Sequence, residues 1–348
     1  MKKILFTLLG CFMISLTAYA QEVTRASSTQ NQKGKIFLQS NGKVKGIFES
    51  NALQAAIDEA TPEGGDIIYL SSGFFDGDAI IDKPISIIGV GADNSLDSYT
   101  AYGGSLSCNV SSSSKLIDKV LIEGVRFTNS NGHYLKGINS LVLRKCYFSY
   151  FLYLGNSGGS NSVSTIKNVV LDRCQFRYYV NVASDVESLF AKNCKLNSVE
   201  GSNTFNENIR FNHCNISSPR LSAVYSNSIL GDISSLNSGA MLVNTLYKNL
   251  SSESSSESSI NFQDCKGVDE DLISTGSYYD DDVTLDCVYT AEQLKQNNYL
   301  GYDGTVYGVE GGVNPFSLKR HVPVFTTKSL SIDPIKKELS ADIKVTAN

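Results

Sequence analysis

The sequence predicts an all-β protein built as a right-handed parallel β-helix, a solenoid, and three observations carry that reading. Gapless self-similarity comes first: the octapeptides Val120 to Phe127, Leu141 to Phe148 and Val169 to Phe176 align residue for residue, and Leu189 to Leu196, Ile209 to Ile216 and Ile260 to Gly267 continue the series. Periodicity is the second. With the central Val or Cys as position zero, apolar residues fall at −5, −3, 0 and +2, which describes two alternating strands separated by one out-of-phase residue at a corner. Spacing is the third. The steps from Val125 to Cys146, Cys174, Cys194 and Cys214 are 21, 28, 20 and 20 residues, close to one rung of a stacked architecture with loops of varying length. Weaker copies centre on Val90 and Thr245. Rungs stacked at about 4.8 Å bury a continuous column of like residues and pair each backbone with its neighbours. A leucine-rich horseshoe would need Leu-x-x-Leu-x-Leu with a recurrent Asn, and the repeat has neither.

Taken in chain order, residues 1–20 read as a signal peptide: Lys2 and Lys3, an apolar run from Ile4 to Leu16, then Ala18, Tyr19 and Ala20 as a small-x-small site. The Leu8 to Cys11 string is similar to a lipoprotein box but leaves almost no apolar core ahead of it, so cleavage before Gln21 is favoured. No later stretch reaches the roughly 20 apolar residues of a spanning helix, so an exported chain without a transmembrane segment is expected. Residues 21–48 form a lead segment. The β-helix occupies 49–289 and opens with a capping helix at about 51–60, where Leu53, Ala56, Ile57 and Ala60 recur at helical spacing after Ser50 as N-cap, and Pro62 with Gly64 and Gly65 stop it. Ser251 to Ser259, almost all Ser and Glu, reads as a solvated insertion. Residues 290–348 form a β-rich C-terminal cap: Thr290 and Gln293 make a capping box for a short helix, and a Gly-rich stretch and alternating strands follow. Both flanks are expected to cover the open ends of the stack.

A net charge of −5 argues against a nucleic-acid partner, which usually selects a basic face. Removing Cys11 leaves seven cysteines, an odd number. Cys146, Cys174, Cys194 and Cys214 share one inward position, and Cys265 recurs 20 residues after Thr245. In-register parallel neighbours point their Cβ atoms the same way, poor geometry for a disulfide, so a ladder of reduced core thiols is predicted. His133, His213 and His321 make no ligand-spaced cluster with them, and no cofactor is expected. Asp280, Asp281 and Asp282, with Asp269 to Asp271, supply oxygen ligands suited to Ca²⁺ but match no EF-hand spacing; a solvated acidic loop is the alternative.

Leu53 to Asp58, Asp66 to Leu70, Gly73-Phe74 and Lys83 to Gly89 resemble the opening of pectin-lyase-like β-helix proteins, the superfamily of pectate lyases and pectin methylesterases. The close, Asp303 to Phe316 with Ile343 to Ala347, is similar to the endings of secreted Bacteroidetes β-helix proteins. The resemblance covers nearly all of the chain after the signal segment. It implies a β-helix exported by a Gram-negative bacterium, to the periplasm, the cell surface or the medium. It implies no single activity, because esterases, lyases, hydrolases and non-enzymes share that scaffold. The methylesterase motifs are missing, and the chain has no Trp.

A lyase would neutralise a uronate carboxylate with Ca²⁺ or Arg and remove the adjacent proton with a base. Arg144, Arg173 and Arg177 are the nearest approach, against the alternative that Glu123, Arg144, Asp172 and Lys192, all at position −2, form a surface charge ladder. For binding, Tyr147, Tyr150 and Tyr153 with Phe151 lie beside one rung and Tyr178 and Tyr179 beside the next, so that rings share one side of the stack. Packing under the loop at 153–166 is the alternative. Position −4 holds Leu121, Val142, Val170 and Phe190, an outward apolar stripe that calls for a cover, either the C-terminal strands or a partner chain. The leading expectation is a noncatalytic face for a polysaccharide or a cell-surface protein; a polysaccharide lyase and a rigid adhesive protein are the alternatives. Oligomeric state is open.

Overall fold

The computed structural model describes residues 32–96, 98–108, 115–156, 165–249, 259–274 and 284–319, together with the backbone of 324–333 and 338–346. The signal segment, most of the Ser/Glu insertion, the loop at 157–164 and Asp280 to Asp282 lie outside the described residues. The chain winds as a right-handed parallel β-helix. Its first sheet has twelve strands. Two of them, Lys35–Ser40 and Lys43–Glu49, form an antiparallel hairpin laid against Ile67–Leu70; from there the strands run parallel to Asn261–Gln263. The second sheet has fourteen and is bent: early rungs contribute two short strands to it, such as Arg126–Phe127 and His133–Leu135, whereas Gln175–Val182 runs through the bend as one. Each early turn therefore has three faces.

The out-of-phase residue of the repeat has a physical cause. Gly124, Lys145, Arg173, Asn193, His213, Asn227, Asn244 and Asp264, each at position −1, all have φ between +48° and +68°. One left-handed residue turns the chain from the first sheet to the second, so positions −3 and 0 both point inward despite their odd spacing. Gly and Asn adopt this conformation readily; Lys145 and Arg173 hold it at a cost of about 1–2 kcal/mol each.

Inside, like stacks on like. Position −3 builds a column from Ile122, Leu143, Leu171, Ala191, Phe211, Tyr225 and Leu242, and position +2 stacks Phe127 on Phe148 at 4.6 Å and Phe148 on Phe176 at 5.0 Å. Position zero is the thiol column. Cys146, Cys174, Cys194 and Cys214 are fully buried and free, and each Sγ donates to a carbonyl of the preceding rung, at Ile122, Leu143, Leu171 and Ala191 (3.5, 3.3, 3.4 and 3.6 Å). Thr245 and the half-buried Cys265 repeat the contact to Tyr225 and Leu242. One rung escapes the sequence reading: Val224–Ser226 with Ile229–Asp232 places Ser228 at position zero, where its hydroxyl donates to the Ser226 carbonyl at 2.7 Å.

At the first end, helix α1 (Leu53–Glu59) packs on the hairpin and on Ala79–Ile81, with Leu53, Ala56 and Ile57 buried. Its N-cap is Ala52, without a side-chain bond, rather than Ser50. Helix α2 (Ala291–Gln296) has the Thr290–Gln293 capping box, but its position corrects the expectation of an end cap. Residues 284–319 form a strap that runs back along the flank of the stack. Leu285, Leu294, Val306 and Tyr307 bury themselves with Ile229 and Leu246 on the outer side of the second sheet. The strap then climbs the corner. Gly308 N donates to the Asn227 carbonyl (2.9 Å), His213 Nε2 meets Asp303 (2.9 Å), Asn193 Nδ2 donates to the carbonyls of Val309 and Gly311 (3.2 and 2.8 Å), and Lys145 Nζ donates to the Lys319 carbonyl (2.7 Å). The apolar stripe lies on the first sheet instead, where Leu121, Val142 and Val170 are half-buried and Phe190 is 40% exposed. Residues 324–333 and 338–346 form an antiparallel hairpin.

Candidate functional site

The third face carries the aromatic residues. Strands on that face align Ile80, Ser107, Tyr134, Tyr153, Asn181 and Glu200 in one outward column. Tyr134 and Tyr153 stack with centroids 4.6 Å apart and planes parallel to within 1°, because in-register parallel strands set like side chains one rung apart. Behind them the Tyr153 and Tyr179 hydroxyls meet at 2.5 Å, and Phe151 packs edge-on to Tyr178 at 4.5 Å and tilted on Tyr179 at 4.5 Å. Tyr150 lies 6.0 Å from Tyr178. Burial, with Tyr153 beside it, pushes the Tyr134 phenol up, and Tyr179 shifts the same way for the same two reasons; both rings are neutral hydrogen-bonding groups at neutral pH.

Tyr134 is the most open of these rings, 43% exposed. One ring face lies on Tyr153; on the other side its column neighbour is the small Ser107, with Ile80, 44% exposed, one rung further. Two rung spacings are about 9.6 Å, and a ring sandwiched between two side chains needs about 3.5–4.0 Å on each side. Along the column, the spacing between Tyr134 and Ile80 equals the thickness of one saturated six-membered ring packed between two side chains.

Of the tyrosines expected on this face, Tyr150, Tyr153, Tyr178 and Tyr179 lie there, half-buried. Tyr147 does not, and this is a correction: at position +1 it points from the second sheet and is buried beneath the Arg126 guanidinium, 3.8 Å above its ring centre. Tyr134 was missed because its strand is three residues long. The signal was present, since His133-Tyr134-Leu135 matches Leu152-Tyr153-Leu154 in its in-out-in pattern.

The arginines considered for lyase chemistry are engaged elsewhere. Arg144 bridges Glu123 (3.5 Å) and Asp172 (3.1 Å), Arg173 pairs with Asp172 (3.0 Å), and Lys192 approaches the same carboxylate (3.8 Å). Asp172 is buried among these three cations. This is the charge ladder of position −2, on the first sheet. Arg177 is buried on the second sheet. Among the described residues no group of three or more His, Cys, Asp or Glu side chains is placed to hold a metal ion; Asp269 and Asp271 accept from Asn249 and Lys248, and Asp280, Asp281 and Asp282 lie outside the described residues. No helix among the described residues is long and apolar enough to cross a membrane. Neither a protein-family model, nor a curated protein, nor a solved structure matches the chain.

Proposed function

We propose that this chain is an exported β-helix protein that binds carbohydrate on the tyrosine shelf of its third face. The observation that carries the reading is the Tyr134–Tyr153 pair, a parallel stack whose outer ring is 43% exposed. Aromatic faces bind the C–H side of sugar rings with large contact area and little rotamer entropy. Asn181 and Glu200 continue the same column on the far side of Tyr153, where their amide and carboxylate would meet a further residue of a longer saccharide. Export rests on the basic, apolar and small-x-small succession of residues 1–20. Binding is favoured over turnover because Arg144 and Arg173 are committed to Asp172 on another sheet.

The test is affinity electrophoresis of the purified protein through gels carrying neutral or acidic polysaccharides, with unsaturated products followed by absorbance. Retardation without product is expected, and Tyr134→Ala should weaken it about tenfold, the effect of losing a stacking interaction worth about 1.4 kcal/mol. Phe190→Ala, on the first sheet, should leave it unchanged. Retardation indifferent to Tyr134→Ala, or absent on every polysaccharide, would overturn the assignment; product formation would replace binding with catalysis.

A further inference from the structure

The second sheet has an outward column of its own, read at position +1: Arg126, Tyr147, Gln175, Lys195, Asn215, Ile229 and Leu246. The strap treats its two halves differently. Ile229 and Leu246 meet the strap's apolar residues, and Asn215 is hydrogen-bonded to the Leu285 carbonyl and to Val309 N. A column that only needed cover would stay apolar. Past Asn215 it turns charged, and the strap lifts away to leave a cavity of about 670 Å³, within the range of small-ligand sites. Arg126, Tyr147, Gln175 and Lys195 form its floor, Asp286 and Phe316 to Lys319 one wall, and Asp93 with Asn94 the other. Those last two belong to a loop that replaces the tight corner after Ile85–Ile88.

The charges on this cavity do not cancel. Lys195 pairs with Asp286 and lies over the Phe316 ring at 4.5 Å. Asp93 accepts from the Ser95 amide and hydroxyl (3.0 and 2.6 Å). Arg126 is only 8% exposed, yet its guanidinium has no carboxylate and no hydrogen-bond acceptor among the described residues; it lies over the face of Tyr147. A guanidinium that stacks on a ring and has no anionic partner on the floor of an open cavity can take a planar or tetrahedral oxyanion through two parallel bonds.

We propose that the cavity under the strap is a second ligand site, which binds a small organic oxyanion, a carboxylate or a sulfate, on the Arg126 guanidinium, with Gln175 and Lys195 placed along the same floor. It lies on a different face from the tyrosine shelf and does not depend on it.

Thermal melts of the full chain, with D-glucuronate, D-glucose 6-sulfate and D-glucose as probes, test this. One or both anions should raise the melting temperature by several degrees at about a hundredfold excess over Kd, and glucose should not; which anion acts tells carboxylate from sulfate. Arg126→Gln should abolish the shift while melting, without ligand, at or above the wild-type temperature, because it removes a cation that has no anionic partner among the described residues. Arg126→Lys should keep only part of the response, and Tyr134→Ala all of it. The proposal fails if neither anion shifts wild type, if the shift survives Arg126→Gln, or if Arg126→Gln without ligand melts lower or does not fold, since Arg126 would then have a structural partner.

Discussion

Lowering the pH should destabilise this solenoid through one residue, His133. The side chain is 2% exposed, its Nδ1 accepts from Leu106 N at 3.1 Å, and its ring packs against Phe127 and Phe148 at 4.7 and 5.7 Å. The accepted bond fixes the neutral tautomer with the proton on Nε2. Protonating Nδ1 would break that bond and place a cation in the core, and burial accordingly depresses the His133 pKa from 6.5 to about 4. The unfolded chain takes up a proton between those values and the folded chain does not. The contribution is therefore complete above pH 6.5 and is lost as the pH falls toward 4. At about 1.4 kcal/mol per pKa unit the whole effect is about 3 kcal/mol, of which about 2.5 kcal/mol is gone by pH 4.5. Urea unfolding of wild type and His133→Asn at pH 7 and pH 4.5 isolates it, because Asn Oδ1 can still accept from Leu106 while other groups titrate alike in both. The fall in stability between the two pH values should be about 2.5 kcal/mol smaller in the variant. Equal falls would show that His133 is hydrated or already charged, and would refute the reasoning.

The same core makes Phe148→Ala costly: it removes the middle of the Phe127–Phe148–Phe176 stack, and denaturant titration should show a loss of about 3–5 kcal/mol. Thiol chemistry should divide the cysteines by burial. Cys108, Cys146, Cys174, Cys194 and Cys214 should be inert to a disulfide reagent until unfolded, whereas Cys265 and Cys287 react slowly in the native state; burial pushes both Cys108 and Cys287 up to about 12, with Asp286 adding to the shift at Cys287. Rapid native labelling of Cys194 would contradict the packing of the thiol column. Asn193→Ala should cost about 2–3 kcal/mol by losing both strap bonds and straining φ +50°, and should expose 284–319 to limited proteolysis; Asn193→Gly should recover the backbone part alone and leave the strap equally sensitive.

What was legible in the sequence is what repeats locally. Positions −5, −3, 0 and +2 recur because each rung buries the same columns, so the stack, the thiol ladder and the charge ladder through Asp172 could all be read from eight-residue windows. The rung at Ser228 was hidden because Ser replaces Cys there and the step from Cys214 shortens to 14 residues. For Tyr147 the density of aromatics points to the wrong face, because parity decides: at position +1 it follows the second sheet, while Tyr153, six residues on and past the bend, follows the third face. The strap left no local trace. Lys195 meets Asp286 across 91 residues and His213 meets Asp303 across 90, and nothing in either window names its partner. The cavity was illegible for the same reason, although its floor, read at position +1, was in plain view.

That floor and the tyrosine shelf are two sides of the same turns. Arg126 and Tyr134 belong to one rung, Tyr147 and Tyr153 to the next, Gln175 and Asn181 to the one after, and Lys195 and Glu200 to the fourth. Such closeness would couple two sites in a protein with a hinge between them. Here each turn is held on both sides by in-register strands, so one rung cannot slide without breaking the ladders above and below it, and shared position alone supplies no second arrangement for a ligand to select. The strap is the exception, because side-chain bonds and the single backbone bond from Gly308 N to Asn227, rather than strand pairing, hold it along the corner. If either site communicates with the rest of the molecule, the physical route is Asp286 and Phe316 moving against Lys195, which places any conformational response at the cavity and leaves the shelf a rigid surface.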